Sequence, residues 1–379
     1  MDYIAIIFSG SITALLVVIT LKLWLSFRRF RITKNYTAAL TAPSVSVCIP
    51  ARNETHAMTQ CLERVLASDY RKLEIIVYDD SSADDTSMLI RSFAHAGVRF
   101  VEGDKLPEGW LGKTHALDVL AKEASGTYVL FMDVDTHIGV TTISQMVGYA
   151  MTEDADMVSV IPRRGDSGRA NVLFGHLRYF WELILSTKKY PASSSSFWII
   201  KRKLLIESIG NLEQFKAAVA PEAMLSSRSG DRYHCLVSST NLGIAYEKRW
   251  MSQIETSRRL LYPKVGGVWW TGCLAIFGLV LLNIPTFTLI HGIFNKWELI
   301  HLMALWHTLS FMGVYAVYTS YLWRKNWWMG GVLWPVVILQ ELGLFINSMY
   351  GYLTHRITWK GRPVTANSSS SITPARANK

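Results

Sequence analysis

The sequence predicts an α/β domain with a mostly parallel sheet, flanked along the chain by transmembrane helices. Three observations carry that prediction. The 379 residues are 50% hydrophobic and only 18% charged, against about 25% charged in an ordinary soluble domain. Long uncharged runs lie near both ends of the chain. Between them, short β-branched runs alternate with amphipathic helical patterns, the order that builds parallel sheets with helices on both faces.

The uncharged runs come first. Tyr3 to Leu21 holds no charged side chain, close to the ~20 residues that cross a hydrocarbon core. A cleaved signal peptide is the competing reading, but it would carry positive charge ahead of its apolar run. Here Asp2 precedes the run and Lys22, Arg28, Arg29, Arg31 and Lys34 follow it. Residues 1–27 are therefore read as a transmembrane helix, with the chain cytoplasmic after Arg28. Val265 to Ile290, Leu299 to Trp323 and Asn326 to about Leu353 give further apolar stretches within residues 264–355. Nine of the fourteen tryptophans fall between Trp269 and Trp359, a distribution suited to membrane interfaces. Three crossings there would leave the tail outside, yet Arg356, Lys360 and Arg362 favour the inside. Either one stretch is re-entrant or interfacial, or the charge rule fails. Pro285, Pro335 and Glu341 make the first and last stretches the candidates. Residues 356–379 read as a basic, then disordered, tail.

Residues 43–263 have the composition of a soluble domain. Val45 to Ile49 reads as a buried strand ending at Pro50, and Glu54 to Ser68 as a helix with Met58, Cys61, Leu62, Val65 and Leu66 on one face. Leu73 to Val77 is a second strand, Asp84 to Ala96 a helix and Val98 to Val101 a third strand. Gly112 to Ala124 is a helix and Tyr128 to Met132 a fourth strand. Ligands of such sheets sit at the carboxyl ends of the strands. Those ends carry Asp79-Asp80 and Asp133-Val134-Asp135. Asp133 and Asp135, two apart on an extended segment, would point the same way. Carboxylates in such a pair suit Mg²⁺ or Mn²⁺ held together with substrate phosphates. Either cluster alone would be an ordinary solvated strand end or helix cap.

Several chemistries are excluded or discounted. Cys48, Cys61, Cys235 and Cys273 show no paired or metal-ligand spacing, and the histidines no zinc spacing. Gly112-Lys113-Thr114 lacks the upstream glycine of a phosphate-binding P-loop. The net charge of +10 is mostly juxtamembrane, so nucleic-acid binding fits poorly. The glycosylation-type triplets at Asn35, Asn53 and Asn367 carry no weight in a cytoplasmic domain.

At four blocks the sequence resembles the family 2 glycosyltransferases of the GT-A fold. They are Val47-Cys-Ile-Pro50-Ala-Arg52-Asn53-Glu54, Val77-Tyr-Asp79-Asp80-Ser81-Ser82-Ala-Asp84-Asp85-Thr86, Gly112-Lys113-Thr-His-Ala116-Leu117 and Asp133-Val-Asp135. Gly109-Trp-Leu-Gly-Lys113 and Trp359-Lys-Gly-Arg362 look like the branch with hopene-associated, carotenoid-modifying and ceramide glycosyltransferases. The resemblance implies a nucleotide-sugar donor, most simply a UDP-sugar, and a lipid acceptor. It places Pro50, Arg52, Asn53, Glu54, Asp79 and Asp80 on the donor side, the two aspartates against the nucleoside. Asp133 would meet the ribose, Asp133 and Asp135 would hold the metal on the diphosphate, and Lys113 would lie near the donor phosphates.

An inverting transfer also needs a base for the acceptor hydroxyl. The family's acidic pair ahead of a short helix is matched by Ala220-Pro221-Glu222-Ala223, so Glu222 is the candidate and Glu213 and Asp231 are reserves. A first-turn carboxylate favoured by the helix dipole is the competing reading of Glu222. The processive Gln-x-x-Arg-Trp motif is present only as Tyr246-Glu-Lys-Arg249-Trp250. Arg249 and Trp250 are acceptor-side candidates, though a membrane-interface anchor would look the same. Val172 to Leu185 reads as an interfacial amphipathic helix, and Arg258 and Arg259 as a lipid-phosphate contact. A processive polysaccharide synthase, a non-catalytic scaffold that kept the fold and a nucleotidyltransferase are the rival readings. Against the last, Pro50 to Glu54 has none of the glycines of an N-terminal phosphate loop.

Overall fold

The computed structural model describes residues 2–31, 36, 42–165, 177–208 and 212–364. The chain forms two compact units. A sheet unit comprises residues 30–163, 186–247 and the segment from Thr358; a helical unit comprises residues 1–29, 164–185 and 248–357.

The strands are β1 (Val45–Ala51), β2 (Leu73–Asp79), β3 (Val98–Glu102), β4 (Tyr128–Met132), β5 (Thr136–His137), β6 (Met157–Ile161), β7 (Arg163–Arg164), β8 (Phe197–Lys201), β9 (Tyr233–Val237), β10 (Ala245–Tyr246), β11 (Thr358–Trp359) and β12 (Arg362–Pro363). The helices are α1 (Asp2–Phe30), α2 (Thr55–Leu66), α3 (Thr86–Ser92), α4 (Gly112–Glu123), α5 (Thr142–Thr152), α6 (Arg178–Leu185), α7 (Pro221–Ser229), α8 (Trp250–Lys264), α9 (Trp269–Phe294), α10 (Leu299–Leu322) and α11 (Trp327–Leu353).

The main sheet has seven strands in the order β3-β2-β1-β4-β8-β6-β9. Neighbours are parallel except β8, which runs antiparallel to both β4 and β6. Val45, Val47 and Ile49 alternate onto one face, where Met58, Cys61, Leu62 and Val65 of α2 meet them fully buried. Both faces of β1 are buried, as expected of a strand covered by helices on each side. Phe131 stacks on Trp198 at 4.3 Å, joining β4 to the inserted β8. Strand β1 runs two residues beyond the expected stop. Pro50 sits inside it, opposite Tyr78, because pairing with β4 ends at Cys48 and the missing N–H of Pro50 forfeits no ladder bond on that side.

In the helical unit, α1, α9, α10 and α11 are long and apolar enough to cross a membrane. Large apolar side chains such as Val17, Phe277, Trp306, Val336 and Ile346 remain exposed on them, a surface that suits lipid rather than water. Inside, Phe27 stacks on Tyr321 at 4.0 Å and Trp334 packs between Phe311, Tyr315 and Phe180. Buried Glu341 of α11 accepts the Trp181 indole N–H at 2.9 Å and the Leu177 N–H at 3.5 Å. Lys264 of α8 pairs with Glu182 of α6. Of the expected amphipathic segment, residues 178–185 form α6; residues 172–176 lie outside the described residues. The basic stretch after α11 is not simply a tail. Residues 358–363 form the hairpin β11-β12, with Gly361 at φ +80° in its turn, and the hairpin belongs to the sheet unit. The rest of the expected disordered tail, from residue 365, lies outside the described residues.

Candidate functional site

The carboxyl ends of β1, β2 and β4 bring most of the expected residues together. After β2 the chain turns at Asp79-Asp80, and both aspartates are buried to 3% exposure. Asp79 braces this turn: its carboxylate accepts the Ser82 N–H at 3.3 Å, and the hydroxyls of Ser82 and Ser87. Asp80 is held differently. Its N–H donates to the Ala51 carbonyl at 2.8 Å, and each carboxylate oxygen accepts from Arg362 Nη1 at 2.8 Å. Burial raises the Asp80 carboxyl above its usual range, and the nearby Arg362 guanidinium offsets only part of that. Close approach requires glycine at Gly103, whose added methyl would stand 2.4 Å from the Asp79 carbonyl oxygen.

Arg52, Asn53 and Glu54 form the loop after β1. Arg52 donates to the carbonyls of Asp80, Ser81 (3.1 Å) and Lys360 (3.2 Å). Asn53, at φ +52°, donates its N–H to Ser82 Oγ and accepts the Ala83 N–H. This residue type tolerates the left-handed region. The Glu54 carboxylate pairs with Lys360, whose Nζ also donates to the Arg52 carbonyl at 2.6 Å. Burial pushes the Glu54 carboxyl up; Lys360 opposes this, and the Asp135 and Asp133 charges add to it.

Lys113 follows the first residue of α4 and donates from Nζ to Asp133 Oδ1 at 2.5 Å. Asp133 to Asp135 is a turn, not the extended segment expected: the Thr136 N–H returns to the Asp133 carbonyl at 3.0 Å. The alternation survives nonetheless, because Asp133 and Asp135 are half-buried while Val134 between them is buried. Strand β5 follows directly and pairs with β10, and the Glu247 N–H donates to the Asp135 carbonyl at 3.3 Å. The donor chemistry fits Mg²⁺ or Mn²⁺, since both carboxylates offer hard oxygens. No cluster of three or more His, Cys, Asp or Glu able to enclose an ion exists among the described residues. A metal at this pair would draw its remaining oxygens from substrate and water.

Glu222 is 1% exposed in the first turn of α7, behind Pro221 at the helix start. The segment leading to it is tied to α4 by the Thr114 hydroxyl, which donates to the Ala218 carbonyl at 2.8 Å, and by the Leu111 N–H to the Lys216 carbonyl at 2.8 Å. Of the reserves, Glu213 is exposed, and Asp231 is exposed and paired with Lys188 at 3.2 Å. Arg249 and Trp250 belong to the helical unit, where Arg249 caps α8 and Trp250 opens it. Sequence reasoning assigned Lys360 and Arg362 to topology and to a family branch, and missed them as site residues. Their one visible signal was the pair of cations on either side of a glycine.

Residues 46–208 match the model of the family described as Glycosyl transferase family 2. Among curated relatives, the UDP-Glc:alpha-D-GlcNAc-diphosphoundecaprenol beta-1,3-glucosyltransferase of Escherichia coli is 30% identical over 29% of this chain and 42% of its own. The 4,4'-diaponeurosporenoate glycosyltransferase of Staphylococcus haemolyticus is 31% identical over 32% of each chain. The chain thus spans less than half the length of these relatives. Among solved structures, a mannosyltransferase of Pyrobaculum calidifontis, in complex with GDP-Man and Mn²⁺, superposes with a TM-score of 0.55 at 17% identity. That match covers 91% of this chain and 98% of the other. The parallel sheet, the acidic strand ends and these likenesses agree: residues 46–208 are a Glycosyl transferase family 2 domain of the GT-A fold, in a chain that also carries four helices of membrane-spanning length.

Proposed function

We propose that the protein is a membrane-bound inverting glycosyltransferase. It moves one sugar from a nucleotide-sugar donor, a UDP-sugar, to a hydroxyl or carboxyl of a lipid acceptor on the cytoplasmic face. The observation that carries this reading is the grouping of Lys113, Asp133, Asp135, Glu54 and Asp80 at the ends of β1, β2 and β4, in a chain with four membrane-length helices. Relatives whose names specify a diphosphoundecaprenol-linked sugar and a carotenoid acid as acceptors support the lipid class.

In this reading Asp80 receives the nucleoside and Asp79 braces the loop that presents it. Asp133 and Asp135 would hold Mn²⁺ or Mg²⁺, which when bound would supply positive charge beside the diphosphate leaving group. Lys113, already directed at Asp133, adds a fixed cation beside the same leaving group. Glu222 takes the proton of the acceptor hydroxyl as that oxygen bonds to the anomeric carbon. The bond from that carbon to the diphosphate oxygen breaks on the opposite face, and the nucleoside diphosphate leaves with the electron pair.

The test is transfer by the purified protein in lipid nanodiscs. Radiolabelled UDP- and GDP-sugars are offered with total lipid extract, with and without Mn²⁺ or Mg²⁺. Metal-dependent label in one organic-soluble product is the expected result. Label in a long water-soluble polymer would replace this reading with a processive synthase. Donor binding without turnover across a broad acceptor panel would replace it with a scaffold.

A further inference from the structure

We infer that the C-terminal hairpin is part of the donor site, and that Arg362 is a positioning residue acting through Asp80. The inference rests on the donor reading above. Asp80 is almost wholly buried, and one guanidinium nitrogen contacts both of its oxygens at 2.8 Å. Each oxygen keeps a second lone pair, so Asp80 can still accept from a nucleoside while Arg362 fixes its rotamer. The fit is tight: a methyl on Gly112 would come within 3.0 Å of Asp80 Oδ2 and 3.1 Å of Arg362 Nη1. Three further bonds seat the hairpin: Lys360 Nζ on Glu54, Lys360 Nζ on the Arg52 carbonyl and Arg52 Nε on the Lys360 carbonyl.

The test is titration of UDP with Mn²⁺ into the full-length protein, read by calorimetry and alongside donor KM and kcat. Arg362→Gln is expected to weaken UDP at least about tenfold, as for loss of a charged hydrogen bond, with kcat at saturating donor little changed. Arg362→Lys keeps the charge, provides the variant that folds if the first does not, and is expected to fall between. Because Arg362 acts through Asp80, Asp80→Asn combined with Arg362→Gln should bind no worse than Asp80→Asn alone. Unchanged UDP affinity in Arg362→Gln, or additive losses, would overturn the inference while leaving the donor reading intact. A wild-type protein that binds no nucleotide would remove the donor reading and this inference together.

Helix register carries a second, independent inference: we infer that α11 does not cross the membrane and that both its ends lie on one side of it. The end of α9 meets the start of α10, where His291 stacks on His301. The end of α10 meets the start of α11, where Thr319 donates to the Trp327 carbonyl at 2.8 Å. A third crossing helix would then run parallel to α9 and finish beside His291. Instead α11 runs back along α9: Asn283 donates to the Ile338 carbonyl, and Met349 packs at Gly272, near the start of α9. With α9 and α10 crossing, α11 cannot.

Single cysteines in a Cys273→Ser background, labelled with a membrane-impermeant maleimide in sealed vesicles, test this. Lys325→Cys and Arg356→Cys should both label from the side opposite Asn295→Cys. Arg356→Cys labelling together with Asn295→Cys would overturn it.

Discussion

Replacing Gly103 with alanine isolates the packing on which the Asp79-Asp80 turn depends. The new methyl would lie 2.4 Å from the Asp79 carbonyl oxygen, 2.9 Å from the Tyr78 hydroxyl and 3.0 Å from the Asp80 Cα. Two of these three neighbours are backbone and cannot rotate away. The same carbonyl accepts the Gly103 N–H at 2.8 Å, and Asp79 pairs with Glu102 in the β2-β3 register. Relief therefore means parting the ends of β2 and β3. Overpacking of this kind costs about 1–3 kcal/mol. A cost near the middle of that range lowers Tm by roughly 4–8 °C for a domain of this size. The assay is thermal unfolding of the purified protein in detergent, with UDP affinity measured on the folded fraction. Gly103→Ala should lose both stability and UDP affinity, because the displaced turn carries Asp80. Adding Tyr78→Phe removes only the hydroxyl contact and should recover little. A Gly103→Ala protein that melts with wild type and binds UDP normally would refute the argument that this approach is sterically closed.

Three further outcomes are expected. Glu222→Gln should leave donor binding intact and cut transfer by about 10²–10⁴-fold, the usual contribution of a positioned base, as measured by single-turnover transfer. Asp135→Asn should raise the Mn²⁺ concentration needed for half-maximal turnover beyond the roughly 10–100-fold typical of changes outside the ligand set, with Mn²⁺ titration as the check. Burial raises the Asp84 carboxyl, but the bonds it accepts from the Thr86 N–H and hydroxyl and from the Thr55 N–H together outweigh this and hold it down at about 2. A depressed carboxyl stabilises the fold above its unfolded value and loses that contribution as pH falls through its folded value. Asp84→Asn should therefore lower Tm at neutral pH and match wild type as pH approaches 2.

The sequence was most legible where a local period and a short motif coincide. Strand β4 was read to the residue, and β1, β2 and β3 to within two, because their apolar runs are bounded by Pro, Asp and Gly. Pro50 misled by one rule overriding another: it stops a strand paired on both sides, but β1 is paired on only one side there. The antiparallel β8 carries no signal of its direction, since Phe197-Trp-Ile-Ile is an apolar run that fits either orientation. At the site, Lys113 and the aspartates could be placed because each sits where a strand or helix begins or ends. Lys360 and Arg362 could not. Their partners are Glu54 and Asp80, 306 and 282 residues away, and no periodicity reports contact at that distance.

That separation bears on when the loops after β1 and β2 are completed during synthesis. The strands that end in Asp80 and Asp133 leave the ribosome early, and their contacts within residues 43–163 can form as soon as they emerge. The cations for Glu54 and Asp80 arrive only after α9, α10 and α11 have been made. Until then a nascent chain holds buried Asp80 and half-buried Glu54 without these countercharges, a state that burial disfavours. The ion pairs of Glu54 and Asp80 are thus closed by almost the last described residues of the chain. Placing these two cations beyond α11 makes closure of the loops after β1 and β2 a late event of synthesis.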